Sequence, residues 1–184
     1  MIYVALGCRC LIGIVFAISA ASKLRNRAAF TRFASWLAGL PALPLRGRRT
    51  AAAVALGETA VVVLVGLPWT VADGLLLATL ALAVLAAGAF LVARSGASEP
   101  CQCFGVSTEP LGFPQVIRNV VLCGVAATGA VGAALAGSAT LRPAGAALAL
   151  WVALAVALCT VYLEDLVGFF TDGGAAPASS DPWS

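Results

Sequence analysis

A chain of 184 residues that is 61% hydrophobic and 10% charged, with no histidine, has too little polar surface for an ordinary soluble domain. Its net charge of +3 comes from basic residues gathered beside apolar runs, which fits anionic lipid and argues against a nucleic-acid partner. No nucleotide-binding glycine motif, hydrolase triad or histidine-based metal site is present.

Five segments are long enough to cross a hydrocarbon core of roughly 30 Å, which takes about 20 helical residues. They are Ile2 to Ala21, Ala51 to Leu67, Val71 to Ala93, Val116 to Ala136 and Pro143 to Leu163. None alternates in polarity as a membrane strand would, so the expected fold is all-α, an integral membrane helical bundle. Residues 1–170 form one transmembrane domain in this reading.

The first segment exceeds the length of a signal-peptide core, has no basic residue before it and runs into Ala21-Ser22-Lys23-Leu24-Arg25, so it reads as a retained helix. Arg9 lies inside it and shares a face with Gly13, Ala17 and Ala20, small residues that let another helix come close. Cys8 and Cys10 are two residues apart, so their side chains diverge by about 200° on a helix and do not bridge each other. They read as packing residues on opposite faces.

The link to the second segment, about 29 residues long, carries Lys23, Arg25, Arg27, Arg32, Arg46, Arg48 and Arg49 and no acid, which the positive-inside rule assigns to the cytoplasm. The N-terminus is then outside and the C-terminus inside. Within this link Phe30, Phe33, Trp36, Leu37 and Leu40 recur at helical spacing until Pro41 and Pro44. Two readings fit: an amphipathic helix lying at the interface, or a basic loop with aromatic anchors.

Segment two contains Glu58, the second ionisable residue deep in an apolar run. Measured from the outer ends of their helices, Arg9 and Glu58 differ in depth by only a few Å at about 1.5 Å per residue, so an ion pair between them is expected. Such a pair either fixes helix packing or forms a polar pocket for a substrate or quinone headgroup, or a proton path. The Gly66-Leu67-Pro68-Trp69-Thr70 link allows only a tight turn, making segments two and three a helical hairpin.

The connection from Arg94 to Gln115 holds Pro100-Cys101-Gln102-Cys103-Phe104-Gly105. Pro100 disfavours helix at Glu99 and Gly105 permits a turn, so the two thiols sit in irregular backbone. A disulfide across one intervening residue closes a small strained ring, and strained disulfides exchange readily. A redox couple therefore leads over a Cu(I) or half-zinc site and over a structural disulfide. Arg94 and Arg118 flank the connection and can favour the reactive thiolate. Cys123 and Cys159, inside apolar segments, read as small buried hydrophobes. The tail at 171–184, rich in Gly, Ala, Pro, Ser and Asp, reads as disordered.

Phe16 to Leu24 ending helix one, Glu58 in helix two, Cys101-Gln102-Cys103-Phe104-Gly105, and Arg118-Asn119 opening helix four occur together in one order. In these elements, over roughly residues 9 to 135, the chain resembles the MauE proteins of the DoxX-like membrane superfamily. The resemblance implies a DoxX-like four-helix core, here with a fifth transmembrane helix. It also implies a redox role linked to methylamine utilisation, in which disulfides are formed or transferred during maturation of methylamine dehydrogenase beside a thioredoxin-like partner. Carried over, Cys101 and Cys103 are the redox couple, Phe104, Gly105, Arg118 and Asn119 support their loop, and Glu58 lies in the core. The helix from Pro143 and the tail extend beyond that core, and an extracytoplasmic role conflicts with a cytoplasmic dithiol unless electrons cross the bundle or the topology is inverted. If electrons cross the membrane, a bound quinone or one of the helix cysteines has to serve as the second electron station. A different class of reading is a non-catalytic scaffold subunit of a redox complex, and a third is a quinone or small-molecule binder centred on Arg9 and Glu58.

Overall fold

A computed structural model describes residues 2–39, 47–94, 113–135 and 142–172, with side chains described as far as Thr160. These residues form six helices: α1 (Ile2–Leu24), α2 (Arg27–Gly39), α3 (Gly47–Gly66), α4 (Val71–Arg94), α5 (Phe113–Leu135) and α6 (Pro143–Asp172). Five of them, all but α2, are long and apolar enough to cross a membrane. Their outward faces agree: Leu56, Leu80 and Val84 are 66–71% exposed, which suits lipid rather than water as the surrounding solvent.

In the larger of two apolar clusters buried among the described residues, Ile12, Val15 and Phe16 of α1 meet Val61 and Val65 of α3, Leu75, Ala78 and Leu82 of α4, and Leu122 and Ala126 of α5. Lipid offers no hydrophobic drive for helices to associate, so close approach through small residues matters more than greasiness. Two glycines make that approach. A Cβ on Gly74 would come within 2.7 Å of the Val65 backbone nitrogen, and one on Gly129 within 2.7 Å of the Cys8 Cβ. Gly74 thus closes the α3–α4 hairpin, with Thr70 Oγ1 donating to the Leu64 carbonyl across the turn at 2.7 Å. Gly129 seats α5 on α1.

Several expected boundaries move. α1 extends through Lys23, α3 begins a turn earlier and takes up Arg48 and Arg49, and α6 runs nine residues past Leu163. α6 packs on α1, parallel to it, buries Ala153 and Ala157, and donates the Arg142 backbone N–H to the Tyr3 hydroxyl at 3.2 Å. Residues 173–184 of the expected disordered tail lie outside the described residues, as do Leu40, Pro41 and Pro44.

Of the two readings of the first link, the helix is the one that forms. Arg25 and Asn26 interrupt the chain after α1, and Asn26 Oδ1 accepts the Ala29 N–H at 2.7 Å, which caps the N-terminus of α2. Its aromatic face does not lie out on the membrane surface. Phe33, Ala34 and Leu37 are buried with Ala51 of α3 and Ala89 and Val92 of α4, and Val116 of α5 packs against them. The physical reason is the shortfall of α1, which ends at the depth of the middle of α3 and leaves room that α2 fills.

Gly74→Ala is expected to cost about 1–3 kcal/mol, because the clash is with backbone that has nowhere to move. Gly57→Ala, where an added Cβ meets nothing within 4 Å, should be neutral or slightly stabilising. Thermal unfolding of the two variants in one detergent checks the contrast, and equal loss in both would refute the close-contact account of Gly74.

Candidate functional site

The buried chemistry begins at the end of α1. Ser19 and Lys23 are four residues apart, so one helical turn stacks their side chains on the face that also carries Ile12, Val15 and Phe16. Glu58 projects from the facing side of α3. Lys23 Nζ lies 2.8 Å from Glu58 Oε1 and 2.9 Å from Oε2, and also donates to Ser19 Oγ at 2.7 Å. Ser19 Oγ in turn donates to Glu58 Oε1 at 2.9 Å. The pair is almost fully enclosed, with side-chain exposures of 3% and 5%. Phe33 of α2 completes the enclosure, its ring centroid 5.1 Å from the ammonium, where the π face attracts the cation.

Beside this pair is a cavity of about 20 Å³, room for one water molecule. Ser19 and Glu58 line one side, Arg118 and Asn119 of α5 line another, and Phe16, Leu82 and Leu122 are among the apolar residues that close it. Arg118 and Asn119 are 8% and 7% exposed, and Gln115, one turn earlier, is 3% exposed. Four polar side chains from three helices therefore converge on one small space. It lies toward the bundle end from which α4 leaves at Arg94 and to which α5 returns at Phe113.

The expected ion pair between Arg9 and Glu58 does not form. Arg9 Nε donates to the Val65 carbonyl and Nη2 to the Gly66 carbonyl, both at 2.8 Å, which satisfies the last acceptors of α3. The depth estimate assumed that the outer ends of α1 and α3 are level. Instead Arg9 faces the very end of α3, so α1 overshoots α3 by about 10 Å, two helical turns, and Glu58 is carried down to Lys23. The expected small face was right in kind: Gly13 lies beside Val65, where an added Cβ would be 3.6 Å from the Val65 side chain.

Of the other sequence-derived residues, Arg118 and Asn119 meet Glu58 around the cavity, while Cys101, Cys103, Phe104 and Gly105 lie outside the described residues. Cys8, Cys10, Cys123 and Cys159 are free thiols, and Cys123 Sγ donates to the Thr79 carbonyl at 3.4 Å. Sequence reading missed Ser19 and Lys23. The signal was their i, i+4 spacing on the apolar face of α1, hidden because Lys23 was assigned to the basic loop.

Removing one member of this pair strands the other charge in an apolar bundle. Lys23→Met is expected to cost about 3–5 kcal/mol, and the double variant Lys23→Met with Glu58→Met should recover most of that loss. A double-mutant cycle on thermal unfolding in detergent measures the coupling; additive losses would show that the two side chains do not depend on each other.

The description "Methylamine utilisation protein MauE" matches residues 1–132, which takes in α1 to α4 and nearly all of α5 and leaves out α6. No curated protein and no solved structure matches the chain. With the match covering well over half of the sequence, and with five apolar helices bundled around a buried Lys23–Glu58 pair, the chain belongs to the MauE family.

Proposed function

We propose that the protein is a membrane thiol–disulfide oxidoreductase that exchanges electrons with a thioredoxin-fold partner through Cys101 and Cys103, in the service of maturing a redox enzyme of methylamine utilisation. One thiolate attacks a sulfur of the partner's disulfide, that S–S bond breaks, and a mixed disulfide forms. The second thiolate then displaces the partner's remaining sulfur. Two electrons pass to the partner, which leaves as a dithiol, while the Cys101–Cys103 pair becomes a disulfide. Run backwards, the same steps oxidise the partner.

The observation that carries this reading is where the connection between α4 and α5 is rooted. It departs from Arg94, at the end of α4, and enters α5 just before the buried Gln115, Arg118 and Asn119. A guanidinium in the first turns of α5 favours thiolate in the adjoining connection. Ser19 and Glu58, tied to Lys23, line the same small cavity as Arg118 and Asn119, which sets this part of α5 against the buried network. Family membership supports the association with methylamine utilisation.

Orientation follows from charge. Arg25, Arg27, Arg32, Arg48 and Arg49 gather at the α1–α3 side of the bundle even after Lys23 is withdrawn into the core, and we assign that end to the cytoplasm. The α4–α5 connection joins the bundle at the same end.

Cys101→Ser and Cys103→Ser should each abolish partner reduction and oxidation while leaving folding and membrane insertion intact. Unchanged exchange in both variants would sink the redox reading and favour a scaffold role. A membrane-impermeant maleimide applied separately to inside-out and right-side-out vesicles, with the four other cysteines replaced by Ala, should label the pair only from the cytoplasmic face. Labelling from the outer face alone would invert the assigned topology.

A further inference from the structure

The opposite end of the bundle holds a second feature, separate from the thiol chemistry. Between the start of α1 and the α3–α4 turn lies a recess of about 330 Å³, lined by Leu6, Arg9, Pro68, Trp69, Val71 and Ala72 among others. It is large enough for a small-ligand headgroup. Among the described residues, Arg9 is the one charged residue that lines it and no acidic side chain does; Asp73 is exposed and is not part of the wall.

Arg9 spends Nε and one hydrogen of Nη2 on the carbonyls of Val65 and Gly66. Neither bond uses Nη1, so the end edge of the guanidinium, the edge that grips a phosphate in a two-pronged fashion, is left over. Those two carbonyls are neutral acceptors, and they leave a full positive charge on the guanidinium, level with the α3–α4 turn. Val71 and Ala72, also in the wall, belong to the first turn of α4, whose amides add a weaker attraction for the same kind of group. At the turn Trp69 is 77% exposed, as suits an indole anchored among lipid headgroups.

We propose that this recess is a binding site for the phosphodiester of an anionic phospholipid, held by the end edge of Arg9. A zwitterionic lipid fits less well, because its ammonium group finds no carboxylate among the lining residues. Occupation neutralises Arg9 and ties the α3–α4 turn to α1.

The full chain, purified in detergent, is mixed with phosphatidylglycerol, with phosphatidylcholine or with inorganic phosphate, and bound lipid is read by native mass spectrometry beside the unfolding midpoint. Phosphatidylglycerol should bind in defined stoichiometry and raise the midpoint, while phosphatidylcholine and inorganic phosphate do neither. Arg9→Gln should weaken the binding by about tenfold or more, the loss of one charge-assisted contact, and Arg9→Lys by less. Because Arg9→Gln also removes two bonds to the end of α3, Ala72→Leu serves as a second variant, filling the recess with Arg9 intact; it should lose the lipid as well. Equal binding of both lipids, or retention of phosphatidylglycerol by Ala72→Leu, overturns the proposal. Stabilisation by inorganic phosphate alone assigns the site to a free anion and overturns the lipid.

Discussion

The Lys23–Glu58 ion pair is the constraint on which the rest of the bundle depends. Two full charges taken out of water have to meet, and meeting fixes how far α1 and α3 slide past each other. Once Lys23 is level with Glu58, Arg9 is necessarily level with the end of α3, where it finds the carbonyls of Val65 and Gly66 instead of a carboxylate. The same register leaves α1 too short to fill its side of the bundle at the arginine-rich end. α2 occupies that space, and Phe33 closes over the ammonium. The ion pair therefore goes together with the sliding register and with the inward turn of an aromatic helix.

The two ends of the molecule are chemically unlike as a result. Toward the end where the α4–α5 connection is rooted, Ser19, Glu58, Arg118 and Asn119 enclose a space for a single water, with apolar residues on every other side. Hydrogen bonds in so enclosed a site, such as those joining Ser19, Lys23 and Glu58, are strong and geometrically demanding. At the other end the polar group is solitary and the recess is wide, which suits a ligand from the surrounding bilayer. α6 lies outside the family match and packs on α1, and none of its described side chains lines either site.

The sequence by itself determined the class of solvent and the five membrane-spanning helices, and left the form of the first link open. A composition so poor in charge, with runs of about 20 apolar residues, leaves no architecture but a helical bundle, because backbone groups in lipid have to bond within their own segment. The face of small residues around Gly13 and the tight α3–α4 turn were likewise legible, whereas the meeting of Glu58 with Arg118 and Asn119 around one cavity was not. What only the tertiary structure decided was which charge meets which. Depth counted from helix ends made Arg9 and Glu58 partners, and local spacing put Lys23 in a loop. The first inference treats helices as though their ends were level, and the second stops α1 at Ala21, short of its end at Leu24. A sequence carries no record of how far one helix slides along its neighbour, since that offset is set by packing between residues such as Gly13 and Val65 and by the cost of stranding a charge, terms that exist only once the helices are side by side.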